Sequence, residues 1–463
     1  MSMLGGAAVV RRSSVTQITE GVIWKQLLLF FFPILMGSFF QQMYNTVDTI
    51  IVGRAIGTEA LAAVGSSASL INLLNGFFIG LSSGATVVLS QHFGAADQEG
   101  VKNALHTGVG LSLILGIAAM SLGILGGPWV MRLIRTPENC LADASVYVRI
   151  YFSGAVFSMV YNMGTGILRA MGDSRRPMIF LMTACFLNIL MDILCVVVLK
   201  MGVAGAAIAT VISQGFSALL VIIALCRLPK PHRLNLKQPR LNGTILRRIL
   251  LIGLPAGLQF ITFDLSNILT QSTVNSFGSA TVAAFTAYVK SDAIIWMVCG
   301  AFGVAITTFV GQNYGARKFD RVQKSIWICL GMSTAVIGSL SVAEAVFREW
   351  ILGIYTTDVE VIRLGAYMML WTVPFCVFFL PVEIFGGAMR GTGYSLVPTL
   401  ITCFCVCVFR IIWIFTVVAR WHTLPMLLMC YPISWFLSAA AFFVAYFRGT
   451  WLRKGMHSDV RQT

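Results

Sequence analysis

The sequence predicts an all-α polytopic membrane protein, with about twelve transmembrane helices in two six-helix lobes related by a pseudo-two-fold axis along the membrane normal. Three observations carry that prediction. Of the 463 residues, 57% are hydrophobic and only 11% charged, with mean hydropathy +0.83. A soluble chain of this length could not hide so much apolar surface. The apolar residues fall into runs of membrane length, for which about 20 residues are needed. Finally, several short motifs occur twice at one constant separation.

In chain order the runs are 24–53, 60–92, 102–127, 141–170, 177–200 and 203–227, then 246–276, 280–314, 324–347, 361–390, 395–419 and 424–447. Pro33, Pro255, Pro374 and Pro381 lie inside long runs, so kinked or tilted helices are expected there. The expected organisation is a cytoplasmic segment 1–23, a first lobe 24–227, a basic linker 228–245, a second lobe 246–447 and a cytoplasmic tail 448–463. The first twenty residues lack an apolar h-region, so the first helix is expected to serve as insertion signal.

The formal charge of +15 does not point to nucleic acid, because the basic residues cluster in short segments between apolar runs. Seven lie in 227–248 with no acid among them, and others flank the alternate loops at Lys102, Arg175, Arg176, Arg317 and Lys318 and both ends of the chain, including Arg11, Arg12, Arg453, Lys454 and Arg461. By the positive-inside rule this puts both termini in the cytoplasm, in a multi-pass protein of the inner (plasma) membrane. The segment 227–248, with Pro229, Pro231 and Pro239, reads as a solvated linker. The eleven Cys show neither zinc spacing nor a redox CxxC and are expected to be reduced.

The two halves repeat each other. Gln91-His-Phe-Gly94-Ala95 recurs as Gln312-Asn-Tyr-Gly315-Ala316, 221 positions on, and the same shift carries Gly57 to Gly278, Thr86 to Thr307 and Ala62-Ala63 to Ala283-Ala284. It also carries Arg169-x-x-Gly172-x-Ser174-x-x-Pro177 to Arg390-x-x-Gly393-x-Ser395-x-x-Pro398. An even number of spans per half sets both halves the same way up. Transporters built so hold substrate between the halves and rock them to alternate access.

Intramembrane carboxylates are costly and mark ion or substrate pathways. Asn188 and Asp192 are four apart and share a helical face. Asp192 lies eight residues before Lys200, and Thr210 eight after Gly202, each roughly 12 Å from that membrane face at 1.5 Å per residue. Asp48 lies six residues before Arg54, roughly 9 Å from the same face. Four oxygen-bearing side chains therefore fall at similar depth in the first lobe. Two carboxylates, an amide and a hydroxyl suit Na⁺, or two carboxylates sharing a proton because their charges repel. Taken singly, Asp48 could cap a helix and Asn188 could be interhelical glue. The repeat shifts Asp48, Asn188, Asp192 and Thr210 to Leu269, Phe409, Trp413 and Tyr431, so all four groups are lost together, as expected of one site present once.

The second lobe has its own charges, Asp264, Lys290, Asp292, Glu383 and Arg410. They read as an ion-pair network, with Glu383 or Asp292 pairing Arg410, or else as part of substrate or proton handling. Gln41, Tyr44, Tyr147 and Tyr151, with Phe40, Met43, Phe157 and Met163, are candidates to line a cavity between lobes, where soft flat surfaces receive hydrophobic cations. Arg169 and Arg390 are expected to anchor helix ends.

The motifs resemble those of the multidrug and toxic compound extrusion (MATE) family. The resemblance rests on Pro33 with Gln41, Val47-Asp48-Thr-Ile-Ile-Val-Gly53, Ala60-Leu-Ala-Ala-Val64, Gly84-Ala-Thr86 with Gln91-x-x-Gly94-Ala95, Leu168-Arg-Ala-Met-Gly-Asp-Ser174 and Asn188-x-x-x-Asp192, and spans Lys25 to Arg448. It implies a cation-coupled antiporter that exports amphipathic organic cations, with Na⁺ or H⁺ at Asp48, Asn188, Asp192 and Thr210. No cofactor is implied, and a monomer in the bilayer is expected. A lipid-linked saccharide flippase of the same superfamily would instead want a cavity rich in Arg or Lys. An enzyme is disfavoured because His92, His106, His232, His422 and His457 all lie near span ends or in loops, without HExxH or GxSxG. A passive channel would want a ring of like charges, which the spans lack.

Overall fold

The computed structural model describes residues 18–134, 136–237, 240–449 and 451–452. Arg11, Arg12, Pro239, Arg453, Lys454 and Arg461, and with them most of both terminal segments, lie outside the described residues. Eleven helices are long and apolar enough to cross a membrane, or twelve when one bent pair is taken as a single span. In order they are α1 (Ile23–Ala55), α2 (Glu59–Gly94), α3 (Gln98–Leu133), α4 (Glu138–Ser153 with Ala155–Ala170), α5 (Arg175–Val198) and α6 (Gly202–Cys226). The second half follows with α7 (Gly243–Asn275), α8 (Ser279–Gly315), α9 (Phe319–Gly353), α10 (Val359–Gly391), α11 (Leu396–Val418) and α12 (Leu424–Phe447). The twelve expected runs all appear, most of them extended at one or both ends, while 395–419 and 424–447 are not lengthened.

The 221-residue shift also relates the backbone of the halves. It carries α2 (Thr58–Gly94) onto α8 (Ser279–Gly315) end to end, and the positive-φ residues Gly57, Ala96 and Gly172 onto Gly278, Arg317 and Gly393. Both halves break their fourth span at one level. In α4 the axis bends by 46° at Gly154, where a Cβ would press on Val211 Cγ2 at 2.9 Å. In α10 the corresponding stretch Val373–Phe379 tightens into a 3₁₀ turn with Pro374, and Pro381 follows just beyond it. Pro374 and Pro381 supply no N–H to the helical ladder there.

The lobes meet through α2 against α7 and α8, and through α1 against α8. Glycines make the first of these seams. A Cβ on Gly84 would sit 2.7 Å from Gly253 N, one on Gly253 2.6 Å from Leu81 O, and one on Gly257 2.8 Å from the Phe77 ring. Small residues let the two backbones touch, as at other intramembrane helix crossings. The two-fold-related seam is different in kind, with Phe31 of α1 stacked on Phe302 of α8 at 4.1 Å.

At the end of the molecule carrying the repeated Gln-x-x-Gly-Ala motif the lobes are locked together reciprocally. A Cβ on Gly94 would collide with the Gln312 carbonyl, and one on Gly315 with the Gln91 carbonyl. Gln91 Nε2 donates to Gly391 O at 2.9 Å, and Gln312 Nε2 donates to Ala170 O at 2.7 Å. The 221-residue shift turns one bond into the other. The remaining amide oxygens are also used: Gln91 Oε1 accepts from Arg248 Nη2 at 3.0 Å and Gln312 Oε1 from Ile18 N at 3.2 Å. Around this lock the last turns of α2 and α8 are almost wholly buried. At the opposite end α2 exposes Ala62, Gly65 and Ser69, and α8 exposes their repeat partners Ala283, Thr286 and Lys290. Small and polar residues on a two-fold-related pair of faces suit a wet cleft better than lipid, where exposed positions would be large and apolar. The lobes are thus locked at one end, and at the other their related helices expose small and polar residues.

The linker is less detached than its composition suggests. Its Arg233, Lys237 and Arg240 are exposed, but Leu228 and Leu234 are buried, and Asn235 N and Asn242 N donate to His106 Nε2 and Thr107 Oγ1 of α3, each at 3.1 Å. All eleven cysteines are free, and most are buried.

Candidate functional site

Packing of α1 on α5, and of α5 on α6, gathers the four residues singled out in the first lobe. Asp48 is 7% exposed, Asn188 1%, Asp192 0% and Thr210 3%. Asp48 and Asp192 are close enough to interact electrostatically, and the phenols of Tyr44 and Tyr147 feel both. Immediately after Asp192 the helix widens into a π-helical stretch, Ile193–Val198. The 221-residue shift carries it onto a second π-helical stretch, Ile414–Val418, so it belongs to the repeated scaffold.

What marks the cluster is its lack of partners. Asp48 Oδ1, both carboxylate oxygens of Asp192, and both amide atoms of Asn188 are buried without a hydrogen bond. The Thr210 hydroxyl donates to Ala206 O at 3.1 Å, which leaves its lone pairs free to accept. Buried polar groups are nearly always paired, and an uncompensated buried charge costs several kcal/mol. Two adjoining carboxyl groups with no donor lack one thing, a positive charge between them. A proton or a small hard cation supplies it, and the donor set of carboxylate, amide and hydroxyl oxygens fits either.

Asn188 and Thr210 also face a 60 Å³ pocket with Gln41, Tyr44, Asn75 and Gln214 among its walls, room for one or two waters. Tyr151 is fixed at its edge: the hydroxyl accepts from Asn75 Nδ2 at 3.0 Å and from Gln214 Nε2 at 3.2 Å, so its own proton must point elsewhere. Gln41, Ile79, Tyr161, Asn162 and Leu181 line both this pocket and a 470 Å³ cavity between the lobes. Ion site, small pocket and central cavity are therefore contiguous. Tyr147, 4% exposed, stands behind Asp48 and stacks with Tyr151 at 6.4 Å rather than lining either space. Met163 is core and Phe157 is 41% exposed, so neither reaches the cavity as expected.

In the second lobe the related positions are filled with rings. Asn75 becomes Trp296, Ser158 becomes Phe379, Thr210 becomes Tyr431 and Gln214 becomes Trp435. Trp296 meets Phe379 edge-on at 5.0 Å and Trp435 at 5.8 Å, and Tyr431 meets Trp435 at 5.8 Å. The scaffold that forms a polar pocket in one lobe forms an aromatic plug in the other.

The second-lobe charges do not form the expected network. Arg410 is 1% exposed but meets no carboxylate among the described residues: its Nε donates to Ser434 Oγ at 3.2 Å, and its guanidinium lies over Tyr431 at 4.4 Å and Phe263 at 5.8 Å. A planar guanidinium gains from such faces where a carboxylate is out of reach. Asp292 is 3% exposed; its Oδ2 accepts from Trp296 Nε1 at 2.5 Å, and its Oδ1 has no hydrogen bond among the described residues. Lys290 is exposed in the cleft, and Asp264 is half-buried, its Oδ2 against Gly76 of α2. Glu383 does line the central cavity, and so do Arg169 and Arg390, which had been expected only to anchor helix ends. The sequence reading missed Glu344, 8% exposed, with Oε2 unpartnered and within electrostatic range of Asp292. Its signal was visible, as a lone acid in the apolar stretch Val342–Val346.

The MatE family model matches residues 33–194 and again 255–416, once per lobe. The probable multidrug resistance protein YoeA of Bacillus subtilis (strain 168) is 30% identical over 393 residues, covering 83% of this chain and 84% of that protein. YpnP of the same organism, likewise described as a probable multidrug resistance protein, is 29% identical over 382 residues, 82% of this chain and 84% of its own. A solved structure described as the outward-facing conformation of a multidrug resistance MATE family transporter of the MOP superfamily superposes with TM-score 0.88 at 23% identity, over 95% of this chain and 99% of that one.

Proposed function

Since the chain belongs to the MATE family of membrane transporters, we propose that it is a cation-coupled antiporter, which exports amphipathic organic molecules by alternating access between its two lobes. The observation that carries the coupling is the group of five buried polar atoms without partners on Asp48, Asn188 and Asp192. In this reading Na⁺ or H⁺ enters from the open cleft, is held by Asp48, Asn188, Asp192 and Thr210, and leaves on the other side once the lobes rock. The positive-inside distribution makes the locked, basic end cytoplasmic, so the cleft opens outward and both termini are cytoplasmic in the bacterial plasma membrane. Each inward charge then gains roughly 2.3 kcal/mol per 100 mV of membrane potential. The protein works as a monomer without a cofactor.

Occupancy of the ion site and opening of the Gln91–Gln312 lock are the two events to be linked. The small pocket shared by Asn188, Gln41 and Tyr44 offers the physical path, because ordering its side chains around an ion reshapes a wall of the central cavity. Expression in an efflux-deficient bacterium tests the proposal. The wild-type protein should lower accumulation of amphipathic dyes, and Asp192→Asn at equal membrane abundance should not. Undiminished efflux by that variant overturns it.

A further inference from the structure

The cavity between the lobes has a charge balance opposite to that expected for a cation carrier. Its charged lining residues are Arg169, Arg390 and Glu383. The two arginines are repeat partners, yet their surroundings differ. Arg390 has Glu383 two turns earlier on its own helix, within electrostatic range although the two form no ion pair among the described residues. The residue that stands for Glu383 in the first lobe is Asn162, also a wall of the cavity. Arg169 accordingly has no carboxylate partner among the described residues. Its Nε is buried without a hydrogen bond, and its Nη2 reaches only Thr165 Oγ1 at 3.3 Å. Asp48 and Asp192 are not among the residues lining this cavity.

We infer that the central cavity is selective for amphipathic organic anions, a carboxylate or phosphate headgroup seated on Arg169. This rests on the reading of the chain as an exporter and names the substrate class of that same cavity. A guanidinium offers a fork of donors matched to either headgroup, and Thr165 and Asn162 add polar hydrogen-bonding groups beside it. The rest of the wall suits an apolar body, with Met178, Phe260, Phe263, Trp296 and Met297 facing it. An architectural arginine would have kept the same partner in both repeats. Here the scaffold keeps both arginines and removes the acid from one, which leaves a positive site at one wall only.

Two xanthene dyes of like shape and opposite charge, fluorescein and rhodamine 123, test this by equilibrium binding to the purified full-length protein in nanodiscs. Fluorescein should bind at least tenfold more tightly than rhodamine 123 in phosphatidylcholine discs. Arg169→Gln should weaken fluorescein at least tenfold without weakening rhodamine 123, Arg169→Lys should recover part of the loss, and Glu383→Gln should strengthen fluorescein. A second disc containing phosphatidylglycerol separates the sources of the headgroup: competition against fluorescein assigns the site to an anionic lipid, and its absence to a soluble anion. Tighter binding of rhodamine 123 to the wild type, or equal loss of both dyes in Arg169→Gln, overturns the inference. Binding at equilibrium needs no ion gradient, so this result stands or falls apart from the coupling scheme.

Discussion

Replacing Gln312 by Ala should unlock the closed end of the molecule, and the size of the effect can be worked from its contacts. The side chain is fully buried, donates to Ala170 O at 2.7 Å and accepts from Ile18 N at 3.2 Å. A neutral hydrogen bond contributes about 1 kcal/mol net, and a buried group left without a partner costs about 1–3 kcal/mol. Ala170 O, on the last residue of its helix, and the Ile18 amide both lose this partner. A total near 3 kcal/mol follows, against a state in which water reaches both groups. That shifts the balance between closed and open by about 100-fold, since 1.4 kcal/mol is a factor of ten. Hydrogen exchange read by mass spectrometry on peptides covering 88–96 and 309–317 should then speed up by up to that factor, while peptides around Asp192 keep their rate. Gln91→Ala should do the same through Gly391 and Arg248, because the lock is two-fold related. Unchanged exchange at both peptides in both variants would refute the lock as what holds this end shut.

Two further perturbations follow from the asymmetry of the lobes. Trp435→Ala removes a fully buried ring from the second-lobe plug and should cost about 3–5 kcal/mol, seen as a lower midpoint in a thermal unfolding scan in detergent; an unchanged midpoint would mean the rings are not packed as described. Tyr151→Phe leaves the amides of Asn75 and Gln214 without their acceptor at the edge of the ion pocket. Transport should fall several-fold, with a stability loss of about 1–3 kcal/mol for the donors left unpaired, and full transport would remove Tyr151 from the site.

Much of this was legible in the chain because the bilayer imposes simple rules. Twelve apolar runs gave twelve helices, and the shift from Gln91 to Gln312 held for the ends of helices as well as for motifs. Asp48 and Asp192 were legible because a carboxylate in an apolar run is costly and needs a reason. Counting residues from Arg54, Lys200 and Gly202 put them at similar height. It could not give their azimuth, and the failures share that cause. Arg410 was assigned a carboxylate partner, but its helix turns it onto Tyr431 and Ser434. Tyr147 and Met163 sit at plausible heights yet face the interior of the lobe. Arg169 was placed at a helix end, and its side chain turns back into the cavity. The glycine seam between α2 and α7 was equally hidden, since a glycine pattern does not name the helix it touches. The aromatic plug could have been read from the repeat alone, by asking what replaced Asn75, Ser158 and Gln214 as well as the four ion ligands.

The central claim is that one ion site, in the first lobe only, drives transport. Flux of dye in proteoliposomes with Na⁺ and pH gradients imposed separately tests it most directly, comparing wild type, Asp48→Asn, Asp192→Asn and the second-lobe variant Asp292→Asn. The account predicts gradient-driven flux in the wild type and in Asp292→Asn, and its loss in both first-lobe variants under either gradient. Gradient-driven flux that persists in Asp192→Asn, or that disappears in Asp292→Asn while the protein remains folded, would contradict it.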